Sequence, residues 1–85
     1  MSREHILTEI DVERSRQDEL WGHEFDDKNT INDFGSYITR YVSEATFADS
    51  PERQREQLIK VAALSIATLE AFDRNNGFAR RHYDE

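Results

Sequence analysis

The stretch Leu58-Ile59-Lys60-Val61-Ala62-Ala63-Leu64-Ser65-Ile66-Ala67-Thr68-Leu69-Glu70-Ala71-Phe72 decides the fold, because it is the longest apolar-rich segment of the chain. Its apolar residues recur every three or four positions, which is the period of an α-helix that hides one face. That face is formed by Leu58, Val61, Ala62, Ser65, Leu69 and Phe72, and it is widened by Ile59, Ala63 and Ile66. A face this wide predicts a helix that packs against two elements or across a subunit interface.

Composition places the chain among small helical domains. It has 85 residues with only one Pro and three Gly, which favours helices in a single domain. The lack of cysteine excludes disulfides and thiolate metal sites, and it is compatible with a reducing cytoplasm. No apolar run reaches the roughly 20 residues of a membrane span, so we expect no membrane partner. The net charge of −7 makes nucleic acid an unlikely partner, because phosphate binding needs clustered Lys and Arg.

A first helix is predicted over about 3–20, because Ser2 can cap its start and Gly22 can end it. Its stripe begins with apolar residues but continues with polar ones, in the order Ile6, Leu7, Ile10, Arg14, Gln17 and Trp21. Polar side chains thus occupy positions where packing alone would place leucine. They either extend past the edge of a small core or line a polar pocket. Residues 22–29 are predicted to form a solvated acidic loop.

Local signals mark two further helices. Thr30 and Asp33 have the spacing of a capping box and predict a helix over about 31–47. Ser50-Pro51 predicts the start of a third helix over about 51–74, since serine caps and proline suits the first helical position.

Three helices with short connections predict an all-α fold, an antiparallel three-helix bundle over residues 1–77. Gly35, inside the second helix, is interpreted as the mark of a close helix crossing. The tail over 78–85 has no period and is predicted to be flexible. Because the apolar arc of the third helix exceeds what two short helices cover, we expect the bundle to pack into a homodimer.

Carboxylates at helical spacing are the only groups that indicate chemistry. Glu70 and Asp73 lie three residues apart, so both can reach one ion or one guanidinium. They fall in the last turns of a helix, where the dipole disfavours negative charge. Their partner is either an arginine of the bundle, such as Arg14, or a divalent cation. Glu44 is the one acid near the apolar face of the second helix, so Glu44, Glu70 and Asp73 are the metal candidates.

One stretch resembles a known group of proteins. Glu13-Arg14-Ser15-Arg16-Gln17-Asp18-Glu19-Leu20-Trp21-Gly22 is similar to the E-R-x-R-Q-D-x-x-W-G opening of many small phage and prophage proteins. Asp26-Asp27 and Leu69-Glu70-Ala71-Phe72-Asp73-Arg74 are similar to later parts of that group. Its longer members resemble the MazG-like all-α nucleoside triphosphate pyrophosphohydrolases, which are oligomeric bundles that hold magnesium on E-E-x-x-E and E-x-x-D motifs. The resemblance implies the cytoplasm of an infected or lysogenic bacterial host.

The chain departs from the enzyme pattern at its metal ligands. It has no E-E-x-x-E motif, and only Glu44 stands in the corresponding helix. Gln57-Leu58-Ile59-Lys60 aligns with E-x-x-D, and the cation of Lys60 would repel magnesium. Glu70-Ala71-Phe72-Asp73 does spell E-x-x-D. These departures favour binding over catalysis.

Two functions remain open at this point. The first is a small phage-type accessory protein that binds a nucleotide or a host protein without a cofactor. Its ligand-binding candidates are Glu13, Arg14, Gln17 and Trp21, with Arg14 on a phosphate and Trp21 stacked on a base. The same polar residues could instead form a buried network with Glu70 or Asp73. The alternative function is a magnesium-dependent pyrophosphohydrolase, which requires Glu13, Glu44, Glu70 and Asp73 to converge within one chain or across a dimer interface.

Overall fold

The structure is a computed structural model that describes residues 2–80. Three α-helices follow one another along the chain, α1 (Arg3–Lys28), α2 (Ile31–Phe47) and α3 (Pro51–Asn75). The prediction of an all-α three-helix bundle is confirmed. No helix in this part of the chain is both long enough and apolar enough to cross a membrane.

The predicted caps form and explain why the helices begin where they do. The hydroxyl of Ser2 accepts a hydrogen bond from the backbone N–H of His5. At the start of α2, Thr30 and Asp33 bond reciprocally, side chain to backbone, at 3.2 and 2.8 Å. Ser50 caps α3 ahead of Pro51 by accepting from Arg53 N–H. Each cap pairs backbone donors that would otherwise lack a partner.

α3 is the central helix and packs against both neighbours. Ion pairs join Glu9 to Arg55 near the start of α1 and α3, and Asp27 to Arg74 near their ends. α1 and α3 therefore run in the same direction. The short connections on either side of α2 make α2 antiparallel to both. This is the up-down-up order expected from short connections.

The buried face of α3 shares only Ala63 with the predicted arc. Its buried residues are Ala63, Leu64, Ala67, Thr68 and Ala71. The alanines at 63, 67 and 71 lie one turn apart, and their small side chains let α1 and α2 pack closely against α3. The other predicted residues include a set here called the outer α3 face (Leu58, Val61, Ala62, Ser65, Leu69 and Phe72), which is half-buried to exposed. Leu58 is 55 %, Leu69 62 % and Phe72 43 % exposed.

The predicted acidic loop over 22–29 is wrong, because the chain is helical again from 23 to 28. Gly22 breaks the helix at φ 74° and ψ 171°, a conformation that is essentially restricted to glycine. The short helical segment beyond this break is tied to the bundle. Asp26 is 7 % exposed, and Asp27 accepts hydrogen bonds from Arg74 and Asn75.

The first residues after α3 contact the bundle. Asn76 adopts the left-handed conformation, and Gly77 N–H bonds back to the carbonyl of Phe72, which ends the helix. The half-buried ring of Phe78 then lies 5.9 Å from Phe34 and 5.2 Å from Phe72, centroid to centroid. Most of the predicted flexible tail, residues 81–85, lies outside the described residues, and its flexibility stays a prediction.

Gly35 does not mark a close helix crossing. It is exposed, and a Cβ placed on it would meet no atom within 4 Å. The close approach in this bundle comes instead from the alanines of α3.

Candidate functional site

Arg14, on the buried side of α1, is the centre of a network of charged side chains from α1 and α3. Its side chain is only 7 % exposed, and it lies 2.7 Å from Glu70, 2.7 Å from Asp18 and 3.7 Å from Asp26. The Nε–H donates to Glu70 across the α1–α3 contact. Three carboxylates thus surround one guanidinium, which is the arrangement that lets an arginine be buried. This geometry favours the interpretation of Arg14 as part of an internal network.

Glu13 and Gln17 form a second polar pair on the same helix. Arg16 makes a bidentate contact with Glu13, at 2.8 and 2.7 Å, and this hydrogen bonding holds the pKa of Glu13 below its usual value. Gln17 is 2 % exposed and donates its Nε2–H to Glu13. Its Oε1 is buried with no hydrogen-bond partner. The polar interruption of the α1 stripe therefore lies inside the bundle.

The metal candidates do not come together in one chain. Glu44 pairs with Arg40 on the surface of α2, and Glu70 pairs with Arg14. Asp73 is exposed near the end of α3. Within residues 2–80, no group of three or more His, Cys, Asp or Glu side chains could hold a metal ion. A site shared between two chains stays a prediction.

Trp21 lies in a different place, an aromatic pocket between the end of α1 and α2. The pocket has a volume of about 220 Å³ and is lined by Trp21, Phe25, Asp26, Asn29, Phe34, Tyr37, Arg40, Tyr41 and Leu64. Trp21 stacks with Phe25 at 6.2 Å, and Phe25 stacks with Tyr37 at 6.3 Å. This volume is smaller than the roughly 300 Å³ at which pockets for drug-sized ligands begin, so the pocket suits one flat ring system.

Two polar side chains face this pocket from the α1–α2 connection. Asn29 is 8 % exposed, and its Nδ2 is buried with no hydrogen-bond partner. Burial raises the pKa of Asp26, and the neighbouring Arg14 opposes that rise. An unpaired donor and a carboxylate beside aromatic rings can read the polar edge of a heterocycle.

Positive charge borders the pocket at Tyr41. The guanidinium carbon of Arg40 lies 6.0 Å from the centre of the Tyr41 ring, and the ammonium of Lys60 lies 5.8 Å from it. Both distances fall within the reach of cation–π attraction. The surface around Tyr41 is therefore suited to an anionic group on a ligand whose ring occupies the pocket.

Sequence reasoning found only one residue of this pocket, Trp21. It missed Phe25, Asp26 and Asn29 because they fell in the segment interpreted as a loop. Tyr37 and Tyr41 were not among the ligand-binding candidates, although their spacing of four residues places both on one side of α2. That spacing, together with aromatics at 21 and 25, was the signal available.

Comparison of the chain with protein-family models, with curated proteins and with solved structures finds no match. The resemblance to phage proteins and to MazG-like enzymes stays a prediction.

Proposed function

We propose that this protein works by binding a nucleotide, with the base in the aromatic pocket and the phosphate near Tyr41, where Arg40 and Lys60 supply positive charge. The observation that carries the proposal is the buried, unpaired amide of Asn29 within a pocket of stacked aromatic rings. A buried donor without a partner costs free energy unless a ligand accepts from it. Nucleobases present both a flat ring for stacking and acceptors along an edge.

The phosphate position follows from charge. In a chain of net charge −7, an anion needs a local cationic surface. Arg40 lines the pocket, and the ammonium of Lys60 lies 5.8 Å from the centre of the Tyr41 ring. A cation supplied by the protein takes the place that magnesium holds in the enzymes that the chain resembles. This supports binding in place of catalysis, as expected for a phage-type accessory protein.

The test uses Trp21, the single tryptophan, as an intrinsic reporter in the pocket wall. Nucleosides, nucleoside monophosphates and triphosphates, and ribose 5-phosphate are titrated with and without magnesium while fluorescence, heat and pyrophosphate release are followed. We expect quenching by nucleotides without magnesium, weaker quenching by nucleosides, and no turnover. Magnesium-dependent release of pyrophosphate from a triphosphate would restore the hydrolase alternative, and no response to any nucleotide would favour a host protein as the partner.

A matched pair of variants locates the site. Removing the ring in Tyr37→Ala should weaken nucleotide binding by roughly 5- to 150-fold, the range for one base–aromatic stack. Phe47→Ala removes a ring that is 83 % exposed and outside the pocket, so it should leave binding unchanged. Lys60→Gln should weaken binding of the monophosphate more than that of the nucleoside. Equal losses in Tyr37→Ala and Phe47→Ala would place the site elsewhere.

A further inference from the structure

Within residues 2–80, no helix of the chain covers the outer α3 face, although it carries the exposed Leu58, Leu69 and Phe72. We infer that a second copy of this chain covers it, with α3 packed antiparallel on α3 about a two-fold axis at Ser65. This inference rests on the exposed face and is independent of the ligand in the aromatic pocket.

The outer α3 face leaves large apolar side chains open to solvent. Leu58 is 55 %, Leu69 62 % and Phe72 43 % exposed. Leu7, at 54 %, and Ile66, at 39 %, extend this apolar surface across the α1–α3 groove. Exposed apolar side chains grouped on one face are typical of a protein–protein interface.

The order of side-chain sizes along the outer α3 face is self-complementary. Leu58 and Phe72 lie seven residues before and after Ser65, and Val61 and Leu69 lie four before and after it. A two-fold axis at Ser65 therefore places Leu58 against Phe72 of the second copy and Val61 against its Leu69. The small Ser65 at the crossing point lets the two helices approach closely. A two-fold interface requires this reciprocity, in which each contact occurs twice.

Charge favours the same antiparallel arrangement. Asp73 is exposed in the last turn of α3, where the helix dipole disfavours a carboxylate. Arg55 lies 18 residues earlier, five full turns, and so on the same edge of the helix. Antiparallel packing brings Asp73 to the N-terminal end of the second α3, near the Arg55 that there holds Glu9. Parallel packing would instead place like helix ends together.

The first test is the mass in solution by sedimentation and light scattering from micromolar to millimolar concentration. The wild type should have twice the chain mass of 10.0 kDa. Leu69→Glu should return it to one chain with helical circular dichroism retained. Val12→Glu is the matched control, because Val12 is 66 % exposed on the side of α1 opposite the buried Ile10 and Arg14, and it should stay dimeric. A wild type that is monomeric at millimolar concentration would overturn the inference.

A second test reports on the register and does not depend on dissociation. The chain has no cysteine, so Ser65→Cys introduces a single thiol at the proposed axis. A disulfide needs Cα atoms about 4.4–6.8 Å apart, and only a thiol on the axis meets its own copy. Mild oxidation should give a covalent dimer with Ser65→Cys and none with Ser43→Cys, which carries its thiol on the exposed side of α2. Cross-linking through Ser43→Cys alone would refute the proposed face.

Discussion

Replacing Arg14 by alanine should destabilise the fold, because this buried arginine is the cation that three carboxylates share. The variant loses two charge-assisted contacts of 2.7 Å, to Glu70 and to Asp18. These two carboxylates are 49 % and 39 % exposed, so water can take the place of the guanidinium. Asp26, at 9 %, cannot be hydrated in the same way.

The magnitude follows from that difference in exposure. Breaking a fully buried ion pair costs about 3–5 kcal/mol, and a hydrogen bond to a charged group contributes about 1.5–3 kcal/mol. With one buried carboxylate left behind and two that reach water, we expect the free energy of unfolding to fall by about 2–3 kcal/mol. For a domain of this size, that corresponds to a decrease in Tm of about 8–24 °C.

The assay is urea unfolding followed by circular dichroism, with all variants at one protein concentration because a dimer gains stability by mass action. Arg40→Ala is the control, since the Arg40–Glu44 pair is 72 % and 42 % exposed and should contribute less than about 0.5 kcal/mol. Glu70→Gln should lower the free energy of unfolding less in the Arg14→Ala background than in the wild type, because the contact between Arg14 and Glu70 is already absent there. An Arg14→Ala variant as stable as Arg40→Ala would refute this reasoning.

Three further changes test the backbone, the pocket and the C-terminal segment. Gly22→Ala should lower the free energy of unfolding by about 1–3 kcal/mol, purely through its positive φ, since a Cβ would meet nothing there. The control Gly35→Ala in α2 should raise the free energy of unfolding by about 0.5–1 kcal/mol. Equal shifts of the two variants in urea titrations would contradict both expectations. Burial raises the pKa of Asp26 in the fold, so its ionised form destabilises the native state above that pKa and this cost disappears as pH falls toward about 4. Asp26→Asn should therefore have a higher Tm than the wild type near neutral pH and the same Tm near pH 4. A difference in Tm that grows as the pH falls would show that the pKa of Asp26 is lowered and not raised. Phe78→Ala should lower the free energy of unfolding by about 1–2 kcal/mol, because the ring packs on Phe34. A melting curve identical to that of the wild type would show that this contact contributes nothing to stability.

Sequence predicted the parts of the fold that short-range chemistry determines. The capping box at Thr30 and Asp33 and the Ser50-Pro51 start each involve residues within a few positions, so helix boundaries followed from them. The orientation of α3 could not be obtained in this way. Periodicity identifies an apolar face, but it does not tell whether a neighbour in the same chain or in another copy covers it. In α3, Ala63, Ala67 and Ala71 are buried within the chain, whereas Leu58 and Leu69 are exposed.

The candidate site was predictable only in part for a related reason. Polar residues at Arg14 and Gln17 marked a buried network, since they interrupted an apolar stripe, and both are buried. The pocket depended on Gly22, whose positive φ allows a second helical segment where an acidic loop was predicted. That one backbone torsion determines where Phe25 lies, and no residue pattern specified it.

The network and the pocket are physically connected through Asp26. This carboxylate lies 3.7 Å from Arg14 and also lines the aromatic pocket, in the short segment that follows Gly22. The same segment carries Phe25 and leads to Asn29, so the charge of Arg14 holds the pocket wall in place from behind. Arg14→Ala should therefore weaken nucleotide binding as well as stability, although Arg14 does not line the pocket. Asp26→Asn tests this connection, because it removes the charge that Arg14 attracts and should weaken nucleotide binding as Arg14→Ala does. If Asp26→Asn binds nucleotide as the wild type does while Arg14→Ala does not, Arg14 does not position the wall through Asp26.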